Sequence, residues 1–291
     1  MDAPRPLDGL PLTGIGSSST ATSNSTVAAD YASLAFSDDG NGVRQILLTR
    51  PELLNRFDAL LHVELTACLR QTAAEPGVRA IVLASTGKAF SAGGDFDLMM
   101  AAHTDPVARR SIVDDARHLL DALLDLEIPI IAAVQGAAMG LGATVALACD
   151  GLVASRNVVL ADTHVNIGLV AGDGGCLMWP AAAGMLRARR HLLTGDPLPA
   201  ELAFTLGMVT DLVDTPDEVG PAAHAIAARI AANAPLAVRM TKRALNELSR
   251  RRAAEVVDLA LGYEEQTLAT DDLAEGVAAF RAKRTPAFRG T

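Results

Sequence analysis

Between Ile128 and Ala148 only Gln135 and Thr144 are clearly polar. A bilayer span needs roughly 20 continuous apolar residues. Pro129 and the glycines Gly136, Gly140 and Gly142 instead cut this stretch into a short run, a turn and a helix of small residues. A segment so apolar and so interrupted belongs in the interior of a large domain, and no membrane role is expected. The chain has the length for it: 291 residues, 50% hydrophobic. Aromatics make up only 3%, so Ala, Val, Leu and Ile must build the core.

The net charge of −9 argues against nucleic acid as a partner, since no Lys/Arg-rich face is evident to neutralise phosphates. The densest basic run, Arg250-Arg251-Arg252, reads as a solvated helix face. Cys68, Cys149 and Cys176 are an odd number without metal spacing, which excludes a disulfide framework and a zinc site. No charged segment followed by an apolar one opens the chain, and a reducing cytoplasm is the expected setting. Residues 1–26, rich in Ser, Thr, Gly and Pro, are expected to be a disordered tail.

Beyond Tyr31 the pattern is that of a parallel α/β core. Strands are predicted at 43–48, 79–84, 130–134, 152–154 and 158–160. Helices are predicted at 58–74, 106–126 and 140–148. After residue 174 helices dominate, at roughly 174–183, 199–207, 217–232, 235–248, 252–269 and 271–283. The expected division is a core over 27–195 and a C-terminal helical region over 196–291.

Two segments carry chemistry. Ala89-Phe90-Ser91-Ala92-Gly93-Gly94-Asp95 and Val134-Gln135-Gly136-Ala137-Ala138-Met139-Gly140-Leu141-Gly142-Ala143 each follow a buried strand and open a helix. Small residues there let the backbone approach a ligand and leave N–H groups exposed. Two such turns can aim two donors at one oxygen, the geometry of an oxyanion hole.

Those segments resemble the enoyl-CoA hydratase/isomerase (crotonase) superfamily. So do Arg50-Pro51-Glu52-Leu53-Leu54-Asn55, Ile128 to Gly136, Leu193-Thr194-Gly195 and the ending around Phe280-Arg281-Ala282-Lys283-Arg284. The likeness runs from about residue 30 to 289. It implies a spiral of ββα units, a C-terminal helical trimerisation region and a homotrimer or homohexamer. It also implies an acyl-CoA substrate, with coenzyme A as part of that substrate and no separate cofactor or metal. The backbone N–H groups of Gly94 and Leu141 would form the oxyanion hole, with the Leu141 side chain liable to crowd the pocket. Ala89, Phe90, Ala92, Asp95, Gly140 and Thr144 would line the substrate site, and Phe280 and Lys283 would reach coenzyme A.

The chain departs from the family at the positions of its two water-activating glutamates, which are Thr144 and His164 here. Two replacements are candidates. His164 has an ordinary pKa near 6.5, suited to proton transfer. Asp173, at the Gly-rich start of a predicted helix, is the first choice for the working carboxylate, since related dehalogenases and naphthoyl-CoA synthases keep an aspartate in this loop. Asp162 reads as structural. The expected activity is that of an acyl-CoA lyase or isomerase working through a stabilised enolate. The alternatives are a double-bond isomerase or thioester/C–C hydrolase, and a catalytically weak CoA-binding subunit.

Overall fold

The apolar runs of the sequence become strands buried on both faces. The structure, a computed structural model, describes residues 31–291; the tail expected over 1–26 lies outside them. β1 (Leu34–Asp38) and β2 (Val43–Leu48) form an antiparallel hairpin around the turn at Asp39 to Gly42. β3 (Ala80–Ser85), β5 (Ile130–Val134), β7 (Gly151–Ser155) and β10 (Asp211–Val213) add to it in parallel, giving the order β1-β2-β3-β5-β7-β10.

A second sheet interleaves with the first. β4 (Ala89–Ser91), β6 (Ala137–Met139) and β8 (Val159–Ala161) run parallel, and β9 (Leu198–Pro199) closes the edge antiparallel. β3, β5 and β7 are each followed by a short strand of the second sheet, then by helical chain. β3-β4 leads into α2 (Phe96–Thr104), and β5-β6 into α4 (Leu141–Leu147). This is the spiral of ββα units that the resemblance implies.

Alternation across each strand sends side chains to two cores. Ile81, Leu83, Ile130 and Ala132 join α1 (Ala59–Ala73) and α3 (Pro106–Asp125), through Leu61, Leu65, Leu119 and Leu123. On the other face Ala80, Val82, Ile131, Ala133 and Val153 meet α8 (Pro216–Ala231). The α8 contacts Val219, Ala223, Ala227 and Ala231 recur at helical spacing, and their small size lets the helix lie close to the sheet.

The chain beyond Gly195 is not purely helical. β9 and β10 extend the two sheets, and α8 covers one of them, so the expected boundary falls inside the sheet architecture. Two further elements differ from expectation. α5 (Gly175–Ala183) and α6 (Met185–Thr194) are separate helices joined at Gly184, and the second was not foreseen. α9 (Pro235–Leu268) is one helix of 34 residues where two were expected. Nothing at Arg250 to Arg252 breaks it, because Arg250 pairs with Asp125 and Arg251 with Glu247 one turn back. α7 (Ala200–Thr205) and α10 (Asp271–Arg281) complete the set. No described helix is long and apolar enough to cross a membrane, and the three cysteines are unpaired.

Candidate active site

The first Gly-rich turn is held from behind by Asn55, a buried residue in the left-handed region (φ 50°). Its amide donates to the carbonyls of Thr86 (2.9 Å) and Ala89 (3.3 Å), its Oδ1 accepts from Arg50 N–H, and its carbonyl accepts from Ser91 Oγ. The backbone of the turn is then pinned on both sides: Phe57 N–H donates to Gly93 O, and Asp95 N–H to Phe57 O. Gly94 N–H lies between these bonds and has no acceptor among the described residues.

The second turn repeats the arrangement. Gly140 N–H donates to Ala161 O at 2.8 Å, and the next N–H, that of Leu141 at the start of α4, has no acceptor among the described residues. The two turns touch. Gly93 has φ +86°, and a Cβ there would lie 2.7 Å from Met139 O, so backbone meets backbone only because this residue is glycine. Leu141 keeps its side chain out of the way: it is 4% exposed and packs in the main core rather than crowding the cavity.

His164 opens a short 3-10 turn after β8 and is buried between two carboxylates. Its Nδ1 is 2.7 Å from Asp162 Oδ1 and its Nε2 is 3.2 Å from Asp173 Oδ2. Burial on its own would push the imidazole down. The charges of Asp173 and Asp162 outweigh it and hold His164 well above the ordinary histidine range. The edge of the ring faces the second turn: a Cβ at Gly140 would lie 3.4 Å from His164 Cε1 and 3.8 Å from Nε2.

Glu264 of α9 completes the cluster. It is 9% exposed, and one oxygen of Glu264, one of Asp173 and a nitrogen of His164 lie within 4.8 Å of one another. Burial, then the charge of Asp173, push its carboxyl up to about 8, against the opposing pull of His164. Such spacing also suits a metal ion. The charges that raise the imidazole make a proton the competitor of any metal for its ring nitrogens.

A cavity of about 500 Å³ opens where these parts meet. Ala92, Gly94, Gly140, His164 and Phe280 line it, as expected from the sequence. Met99, Met139, Ile167, Asn166 and Arg284 were not foreseen, nor was Phe96, whose ring packs edge-on against Phe280 with centroids 5.0 Å apart. The apolar run after the first motif was the available signal for Phe96 and Met99.

Several residues expected at the substrate do not line this cavity. Phe90 is fully buried in the main core. The Asp95 carboxylate caps α2, accepting from Asp97 and Leu98 N–H, and pairs with Arg56. Thr144 is buried beside Gly174, behind the cavity. Ala89, Leu141, Asp173 and Lys283 also do not line it, though Asp173 touches His164, which does. Asp162, read from sequence as structural, orients the imidazole directly.

Residues 38–291 match the family model for enoyl-CoA hydratase/isomerase. The chain belongs to that family. A 1,2-epoxyphenylacetyl-CoA isomerase of Escherichia coli (strain K12) is 33% identical over 86% of this chain and 95% of its own. The crystal structure of an enoyl-CoA hydratase/isomerase from Mycobacterium paratuberculosis superposes with a TM-score of 0.80 at 36% identity, covering 84% of this chain and 97% of that one. A β-diketone hydrolase from the cyanobacterium Anabaena sp. PCC 7120, with (S)-3-oxocyclohexyl acetic acid bound, gives 0.76 at 29% identity over 82% and 95%. The hydratase/isomerase family thus spans more than one reaction among relatives of comparable likeness. The side chains at the cavity, rather than the fold, separate them.

Proposed function

We propose that the protein binds an acyl-CoA thioester in the cavity and holds its thioester oxygen on the N–H groups of Gly94 and Leu141. His164 then moves a proton at the carbon next to the thioester. One observation carries this reading: among the described residues the titratable side chains lining the cavity are Arg284 and His164, and a guanidinium keeps its protons, which leaves His164 to exchange one.

The donors at Gly94 and Leu141 are placed by backbone, so they need no reorganisation when negative charge develops on the oxygen. In its neutral form His164 keeps Nδ1–H on Asp162, turns Nε2 from Asp173 toward the substrate carbon and takes its proton there, leaving an enolate. As imidazolium it returns the proton to that carbon or to another along the conjugated chain. A base with a raised pKa is scarcer at neutral pH but stronger when formed. One group suffices for such a relocation, whereas adding water across a double bond calls for a water-holding pair. The reading is therefore an acyl-CoA isomerase, and the isomerase among the relatives supports it.

Hydrolytic C–C cleavage is the second reading, favoured by the likeness to the β-diketone hydrolase. There His164 takes a proton from the water that attacks the ketone carbon, the C–C bond breaks with the enolate as leaving group, and His164 returns the proton to the enolate carbon. Incubating the protein with a panel of acyl-CoA thioesters and following them by mass spectrometry separates the readings. Unchanged mass with altered absorbance means isomerisation, a gain of one water means hydration or ring cleavage, and free coenzyme A means thioester hydrolysis. No change with any thioester would sink the proposal.

A further inference from the structure

Glu264 has no part in the reaction just described, does not line the cavity, and yet is buried against its working pair. It lies on the inward stripe of α9 formed by Val257, Leu261, Glu264 and Leu268, where a charged residue costs stability unless it is paired. The loop carrying Asp173 reaches α9 through Gly172. A Cβ at Gly172 would lie 2.5 Å from Ala260 O and 2.6 Å from Glu264 Oε2, so only glycine lets the loop settle there.

Two buried oxygens of this cluster have no hydrogen-bond partner among the described residues: Asp173 Oδ1 and Glu264 Oε2. One oxygen of each carboxylate lies within 4.8 Å of the other, out of water, and there each charge disfavours the other. A single proton held between them removes the repulsion and satisfies both acceptors. The other oxygen of Asp173 then stays on His164 Nε2.

We infer that Glu264 is a positioning residue: a carboxylic acid on α9 that shares one proton with Asp173 and thereby fixes Asp173 against His164. The elevated Glu264 pKa, about 8, agrees with the arrangement. Its surroundings contain no cation that would ionise it earlier except His164 itself. Asp162 at the end of β8 is a further negative charge, and Cys176 of α5 is a thiol pushed up by burial and by these same acids. On α3, Arg110 pairs with Glu265 and Arg117 with Asp258. On α2, His103 bonds the Leu268 carbonyl, and on α10 Asp272 accepts from Arg289 and Gly290 N–H.

The test has two arms, of which only the second rests on His164 being the proton carrier. In the first, infrared spectra of the ligand-free protein are titrated from pH 6 to 10. A protonated-carboxyl band should be present at neutral pH, vanish as pH rises through about 8, and be absent from Glu264→Gln. In the second, exchange of the α hydrogens of acyl-CoA thioesters is followed in D2O. Glu264→Gln keeps a donor toward Asp173 and should retain neutral-pH exchange. Its rise with pH should come earlier than in the wild type, because no second negative charge develops to raise His164 further. Glu264→Ala leaves Asp173 unmet and should lose roughly ten- to hundredfold in kcat with KM little changed. An infrared titration identical in wild type and Glu264→Gln would overturn the inference, as would stoichiometric Zn²⁺ binding abolished by Glu264→Gln. A pH profile unchanged in that variant, or equal losses in the Gln and Ala variants, would overturn it too.

Discussion

His164 Nε2 lies 3.2 Å from Asp173 Oδ2, and of the two only His164 faces the cavity. The carboxylate that the sequence favours as the working group therefore stands behind the imidazole, and on the proposed function it acts through it. This ordering separates the two substitutions. His164→Gln should lower turnover by about 10²–10⁴ while thioester binding, measured by calorimetry, persists. Asp173→Asn should cost less and shift the pH profile to lower pH, since removing a negative charge lets the imidazole lose its proton sooner. Equal losses with unshifted profiles would contradict the ordering.

The same charges make stability depend on pH. His164 is raised in the folded protein relative to an ordinary histidine near 6.5. Its contribution to stability is fully present below about pH 6.5 and is lost as pH rises through the folded pKa. Urea melts of the wild type should therefore lose midpoint above neutral pH by more than those of His164→Gln. Parallel pH dependence in the two proteins would count against a charged imidazole.

Two substitutions distinguish support of the oxyanion turns from the turns themselves. Asn55→Ala removes three hydrogen bonds, one of them buried, from a left-handed position. It should destabilise by about 2–4 kcal/mol and weaken thioester binding as the first turn loosens. Leu141→Ala deletes core packing but keeps the backbone donor. It should cost about 2–5 kcal/mol in urea unfolding, with kcat within severalfold of the wild type. A collapse of kcat in a folded Leu141→Ala protein would mean that the side chain, not the N–H, matters at this position.

Assembly is testable from α9. Leu236, Met240, Leu245, Leu248, Leu259 and Tyr263 are exposed along it, more apolar surface than a solitary helix face usually shows to water. Light scattering at micromolar concentration should report a trimer or hexamer, and a stable monomer would refute the expectation of assembly.

The legible part of the fold was the part written in long apolar runs. β2, β3 and β5 and the helix α3 follow directly from Val43 to Leu48, Ala80 to Leu83, Ile130 to Val134 and the spacing of Leu119, Leu120 and Leu123. β4 and β6 have three residues each, too few to show a period, and only pairing across the second sheet makes them strands. The two glycine turns were visible because glycine is demanded by positive φ and close backbone approach, both local properties. The proton-transfer cluster was half visible. His164 and Asp173 stood out by position, but their contact is set by a loop that folds back onto α9. Glu264, on a stripe otherwise apolar at 257, 261 and 268, was the readable anomaly. Its meaning depended on a neighbour 91 positions away.

The central claim is that this protein makes an enolate from a thioester and that His164 carries the proton. Proton NMR in D2O tests it without knowledge of the natural product. Acetyl-, butyryl- and phenylacetyl-CoA, incubated with the wild type, should exchange the hydrogens next to the thioester for deuterium with at least one acyl group. Exchange should quicken as pH rises above neutral, and His164→Gln should slow it by about 10²–10⁴ while still binding the thioester. Exchange as fast in His164→Gln as in the wild type, or none with any thioester that the protein demonstrably binds, would contradict the account.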